Sequence, residues 1–200
     1  VGGLHLGFQF GAQAPAVVIV DRHAEAAWQQ VGADYRLDRP EHAQFWALKW
    51  GDLLKLTSSQ IGNGGVFKFH RWLVRSFESN MPYDQFAREL ISASGSTLDN
   101  PAANFYRTTT DTQDSVESIS QIFLGARLQC AKCHNHPFER WTQDDYYSMA
   151  AWFARVRQKK DERDPGPAPT QPGAELVYSD RAGEVTQPRT GKVMAPKYLG

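Results

Sequence analysis

From Glu41 to Val156 the apolar side chains recur at helical spacing. Trp46, Trp50, Leu53 and Leu54 repeat as one face of a helix. Gly62, Asn63, Gly64 and Gly65 then read as a turn cluster. Val66, Phe69, His70, Leu73 and Phe77 form the next apolar face. Pro82 suits the first position of a third helix, whose face is Tyr83, Phe86, Leu90 and Ile91, with Asp84 and Arg88 spaced for a surface ion pair. Asp99, Asn100 and Pro101 make a turn. A fourth helix is expected to start near Asp111, where Asp111 and Asp114 complement the N-terminal partial charge. It carries Val116, Ile119, Ile122, Phe123 and Ala126 and points towards Cys130. A fifth starts at Thr142, with Asp144 and Asp145 in its first turn and Tyr146, Met149, Ala150 and Phe153 as apolar residues.

The flanks are less regular. Gly2, Gly3 and Gly7 interrupt the opening, and the run Ala16 to Val20 is short enough to be a strand, although periodicity alone does not decide. Ala24 to Val31 is a possible short helix. After Val156 the residues Arg157 to Asp164 are almost all charged, and Pro165, Pro167, Pro169 and Pro172 follow, which reads as a solvated linker or long loop. Glu175 to Tyr178 and Gly183 to Thr186 are short extended runs. The expected architecture is mainly α: an irregular N-terminal segment (1–40), a helical domain (41–156), and a Pro-rich, partly extended segment (157–200) leading to a following domain. A chain that opens on Val1 without a methionine reads as a piece of a longer precursor.

Composition narrows the function classes. The 200 residues hold 22 basic and 22 acidic side chains, so nothing argues for a nucleic-acid partner. Hydrophobic residues at 41% and charged residues at 22% exclude wholesale disorder. No run approaches the ~18–20 apolar residues of a membrane helix. A P-loop, a G-x-S-x-G elbow, a G-x-G-x-x-G loop and an H-E-x-x-H pair are all absent.

Chemistry concentrates at one place. The only two cysteines lie in Cys130-Ala131-Lys132-Cys133-His134, the C-x-x-C-H attachment pattern of c-type haem. Two thiols at this spacing reach the two vinyl groups on one edge of a porphyrin, and the adjacent imidazole reaches the iron, so His134 is the candidate proximal ligand. Candidates for a distal or neighbouring role are His70, His136 and Met149, then Met81, Met194, His42, His23 and His5. His70 and Met149 fall on apolar helix faces, where core packing is the simpler reading. His136, two residues past the proximal His, does not easily swing to the opposite haem face, which favours a supporting role beside the ligand or a contact to a haem propionate. Cys130, Cys133, His134 and His136 also supply four potential zinc ligands, though adjacent Cys133 and His134 fit one tetrahedron poorly. A redox dithiol, a disulfide or two inert thiols complete the alternatives.

The run Phe123-Leu124-Gly125-Ala126-Arg127-Leu128-Gln129-Cys130-Ala131-Lys132-Cys133-His134-Asn135-His136-Pro137-Phe138-Glu139-Arg140-Trp141 resembles the signature of a planctomycete cytochrome-like domain of unknown function. Phe69-His70-Arg71-Trp72-Leu73, Met81 to Phe86, Ala93 to Ser96 and Asp144 to Tyr147 extend the resemblance, and Pro188 to Lys192 resembles the link to the domain that usually follows. The likeness spans roughly residues 45–200. It implies a mostly helical, extracytoplasmic domain of a large exported protein, with a suspected haem and often a fused cytochrome c module. The expected function is a c-type haem-binding electron-transfer module, periplasmic or at the cell surface, serving a redox partner protein or a fused cytochrome c domain. The alternatives are a haem- or metal-dependent enzyme domain acting on an extracytoplasmic substrate, and a structural module with a zinc or disulfide clip at 130–136.

Overall fold

A computed structural model describes residues 39–167 and 171–199. The expected strand at 16–20, the expected helix at 24–31, His5 and His23 lie outside the described residues. Among the described residues six α-helices dominate: α1 Pro40–Leu53, α2 Ser58–Glu78, α3 Tyr83–Ile91, α4 Phe105–Thr108, α5 Thr112–Phe123 and α6 Gln143–Ala150. Three short strands, β1 Gly95–Ser96, β2 Val156–Lys160 and β3 Glu175–Ser179, pair antiparallel in the order β1-β3-β2. No described helix is long and apolar enough to cross a membrane.

Pro40 opens α1, and α1 packs along α2 through Ala43, Ala47 and Gly51, small residues one turn apart. The inward face is therefore rotated from the one the large residues suggest. Trp50 and Leu54 still point inward, whereas Trp46 and Leu53 face outward. Trp50 sits in an aromatic cluster with Phe77, Phe86, Tyr83 and Phe123, its ring centroid 4.8 Å from that of Phe86 in an edge arrangement. Trp72 stacks on Phe86 at 5.2 Å. Phe69, Leu73 and Leu90 complete this end of the core.

The glycine cluster marks a break at its first residue alone: a kink at Gly62 separates the short turn before it from the long helix after it. Only Gly62 leaves helical geometry (φ 70°), and Asn63, Gly64 and Gly65 continue α2. A Cβ on Gly62 would lie 2.1 Å from the Pro172 carbonyl oxygen, so glycine here admits both the kink and the crossing C-terminal backbone. Arg107 serves the same break. Its buried guanidinium donates to the Ile61 carbonyl (3.1 Å) and to Asn104 Oδ1 (3.0 Å), and its Nε lies 3.5 Å from the Glu175 carboxylate on β3.

The charged run after Val156 is a strand rather than a linker. β2 is an edge strand with residues 157–160 exposed, so its charges face water while its backbone pairs with β3, Val156 opposite Ser179 and Lys160 opposite Glu175. Asp161, just beyond it, is buried. It accepts from Ser96 Oγ (2.5 Å) and from Arg163, tying β1 to the end of β2. Past β3, residues 185–194 form a small hairpin closed by a Thr186–Val193 bridge, with Gly191 (φ 69°) in its turn.

Two outcomes test this frame. Arg107→Ala leaves the Ile61 carbonyl and Glu175 without their buried partner and is expected to lower unfolding free energy by about 3 kcal/mol, with Arg107→Lys recovering only part, as read by urea denaturation. The hydrogen bonds from Arg163 and Ser96 hold the Asp161 carboxyl well below the ordinary carboxylate range. Its folded-state pKa is thus depressed, so its contribution is complete above about pH 4 and is lost as pH falls further. Asp161→Asn should flatten the acid limb of the stability profile below about pH 4 while leaving its shape at neutral pH unchanged.

Candidate functional site

The helix expected to run towards Cys130 stops at Phe123. Gly125 adopts φ 64°, and the Ser120 carbonyl accepts from both Leu124 and Ala126 N–H, closing the helix end. Cys130 follows on a separate 3-10 turn, Leu128–Lys132, and Cys133 caps that turn. In such a turn residues three apart eclipse one another. Leu128 and Ala131 accordingly share the buried side. Cys130 and Cys133 share the other, Cys130 half-buried and Cys133 exposed, both as free thiols. The two-residue spacing of the motif is what aligns the pair.

The turn is pinned by buried polar contacts. The Lys132 carbonyl accepts from Gln143 Nε2 (2.9 Å) and from the Tyr147 hydroxyl (3.2 Å), both on α6. Asn135 Oδ1 accepts from the Gln143 backbone N–H at 3.1 Å. Gln143 Oε1 in turn accepts from Gln187 Nε2 (3.0 Å) in the C-terminal hairpin, where Gln187 is fully buried. Gln187 Oε1 accepts from the Thr190 N–H and hydroxyl. The Lys132 ammonium lies 3.6 Å from the Glu117 carboxylate, which also accepts from the Tyr146 hydroxyl at 2.8 Å. Burial and this carboxylate push the Tyr146 phenol upward, while burial and then the nearby Cys133 raise Tyr147. α6 itself begins with a reciprocal cap, Thr142 Oγ1 accepting from Asp145 N–H and Asp145 accepting from Thr142 N–H.

The two neighbouring histidines do different things. His134 Nδ1 lies 2.7 Å from the Asn135 carbonyl oxygen. A carbonyl only accepts, so Nδ1 carries a proton, and in the neutral tautomer Nε2 of the exposed ring is the nitrogen with the lone pair. His136 Nδ1 instead accepts from the Phe138 and Glu139 N–H groups (3.2 and 3.0 Å), which leaves the proton on its Nε2. The His136 N–H donates to the Trp141 carbonyl at 2.8 Å and closes the loop. His136 is a turn-forming residue in this arrangement. Trp141 Nε1 donates to Glu139, and Arg140 stacks over the Trp141 ring at 4.8 Å. Phe138, at the loop tip, is 93% exposed.

The remaining candidates lie apart. Met149 and Met194 are buried in the hydrophobic core, and Met81 packs against it. His70 is half-buried on α2, which packs on α1 and on residues 101–108, whereas the cysteine turn packs on α5 and α6. His42 meets the edge of Trp46 at 6.3 Å. Among the described residues no group of three or more His, Cys, Asp or Glu side chains is placed to hold a metal ion. Cys130, Cys133, His134 and His136 therefore do not form a ready zinc cage. Two surface clefts, one lined by Phe45, Trp46, Lys49, Asp52 and Leu53 and the other by residues from 111–113, α6 and 184–186, lack Cys130, Cys133 and His134 in their walls.

Residues 12–158 match the family model PSCyt2, described as a protein of unknown function (DUF1549). The chain belongs to this family. No curated protein and no solved structure matches it. The PSCyt2 match takes in every described helix and the cysteine turn and ends inside β2, so β3 and the hairpin carrying Gln187 lie beyond it while packing against it. Gln143 and Gln187 escaped the sequence reading. Gln143 stands at the first helical position after a recognisable cap, but nothing local marks either amide as buried.

In the folded, haem-free, reduced protein Cys133 is expected to react with a water-soluble disulfide reagent at least about tenfold faster than Cys130, in keeping with its exposure. Gln143→Ala, which frees the Lys132 carbonyl, should narrow that difference, as followed by mass-resolved thiol labelling.

Proposed function

We propose that this domain is a c-type haem-binding electron-transfer module of an exported protein. The observation that carries the reading is the pairing of two unengaged thiols on the outer side of one turn with an imidazole whose Nε2 lone pair is free. Cys130 and Cys133 would hold the group covalently, and His134 would ligate iron through Nε2. Haem so bound supplies one-electron redox chemistry. The Asn135 carbonyl, accepting from His134 Nδ1, orients the ring and raises its basicity, a common outer contact of metal-ligating histidines. The Lys132 carbonyl, held by Gln143 and Tyr147, keeps the turn from relaxing. Because covalent haem attachment is completed outside the cytoplasmic membrane, the reading carries with it a periplasmic or cell-surface location. A redox partner protein or a fused cytochrome c domain would exchange the electron.

One observation favours a second reading. A polar network runs from Lys132 through Gln143 to Gln187 and holds the turn, which also supports a structural module with a zinc or disulfide clip at 130–136.

Production in a host competent for c-type haem maturation separates the two. The expected result is a haem-sized mass increase that survives denaturation, stains on a denaturing gel and disappears in Cys130→Ala/Cys133→Ala. His134→Ala should retain the mass increase and change the visible spectrum. An unmodified mass in a host that matures a control cytochrome overturns the haem reading, and thiol counting then tests the disulfide.

A further inference from the structure

Among the described residues β2 has one strand neighbour, β3, and ends the sheet on its other side. Two bonds set the phase of the pairing. Asp161 N–H donates to the Ala174 carbonyl at 2.9 Å, and Asp180 N–H donates to the Arg155 carbonyl at 2.8 Å. Alternate residues of an antiparallel strand bond the same neighbour. Positions 155, 157, 159 and 161 therefore bond towards β3, and the main-chain groups of Val156, Gln158 and Lys160 point away from it. Arg157 Nη1 covers the Val156 carbonyl at 2.9 Å, whereas those of Gln158 and Lys160 meet no partner among the described residues. The side chains add charge to this edge. Arg155, Arg157 and Lys159 alternate onto one face, about 7 Å apart, and Lys160 stands beside them. All four are exposed, and none is in a salt bridge among the described residues. The acids across the ladder are engaged elsewhere. Glu175, opposite Lys160, lies 3.5 Å from Arg107, and the Asp180 carboxylate accepts from Arg181 N–H at 2.6 Å. Asp161 is taken by Ser96 and Arg163, which leaves Glu162, past the strand, as the exposed acid nearest in sequence.

We propose that β2 takes up an acidic, extended segment of a partner protein as a fourth, antiparallel strand. Main-chain hydrogen bonds supply the affinity of such an addition, and alternate side chains supply its specificity. Against the incoming strand Gln158 and Lys160 occupy the hydrogen-bonded positions. Arg157 and Lys159 occupy the others, where facing side chains come closest. A carboxylate at every second residue of the partner meets these two cations, and opposite charges directly across a ladder are favourable. Like charges across a ladder repel, so the same residues keep β2 from pairing with a second copy of itself. A flexible polyanion would use the charge alone. An acidic strand uses both the charge and the outward N–H and C=O groups of Gln158 and Lys160, and this selects it as the occupant.

The test measures, by fluorescence polarisation, binding of the full chain to a labelled peptide that alternates glutamate and threonine, Glu-Thr-Glu-Thr-Glu-Thr-Glu. Affinity is expected to fall at least about tenfold in Arg157→Glu/Lys159→Glu, with the urea midpoint of the variant close to that of the parent. Methylating the threonine amides of the peptide, which face β2 when the glutamates meet Arg157 and Lys159, should abolish binding to the unaltered chain. Methylating the glutamate amides, which then face water, should leave it. Hydrogen exchange at the Gln158 and Lys160 amides should slow in the complex. Equal affinity for the two methylated peptides would mean that charge alone holds the ligand. A sulfated oligosaccharide of the same charge that binds more tightly, with the same loss in the double variant, would assign the surface to a polysaccharide. Either result overturns the proposal, as does an absence of peptide binding at millimolar concentration.

Discussion

The buried Gln143 side chain is the contact on which the candidate site depends. An amide withdrawn from water must have both its donor and its acceptor met, or it costs about 1–3 kcal/mol. Gln143 meets both by joining the Lys132 carbonyl to Gln187. The condition is strict because the second partner comes from 44 residues further along the chain. It makes the cysteine turn, α6 and the C-terminal hairpin one mechanical unit. The thiols then need no contact of their own to be held, and they face outward unengaged.

The other end of the molecule follows a packing constraint. Trp50, Trp72, Phe77, Phe86 and Phe123 form the large-residue layer beneath α1 and α2. With those aromatic rings already filling the space, α1 approaches α2 through alanines and a glycine, and its remaining large residues are left on the outside. Arg107 and Gly62 meet a similar demand at the break in α2, where one supplies a donor to the Ile61 carbonyl and the other makes room for the backbone at Pro172.

Much of the helical frame was legible in the sequence. The cap at Asp111, whose carboxylate accepts from the N–H groups of Gln113 and Asp114, and the cap at Thr142 are local hydrogen bonds that sequence spacing reveals. The Asp84–Arg88 pair also forms, at 3.9 Å on the surface. Where the reading went astray, the deciding partner was distant. Charges at 157–160 looked like a solvated loop because their strand partner, β3, lies beyond a Pro-rich stretch. The glycines at 64 and 65 looked like a turn because the close approach of Asn104 that suits Gly65 is a tertiary fact.

The cysteine motif shows the same division. The sequence by itself determined that two thiols and an imidazole are adjacent, and that apolar residues recur on helical faces around them, because both properties are set by spacing along the chain. Only the tertiary structure decided which side of the 3-10 turn the thiols occupy, which nitrogen of His134 and of His136 keeps its lone pair, and that Gln187 reaches Gln143. Burial and hydrogen-bond partnership depend on what the rest of the fold brings alongside, and no local pattern encodes that.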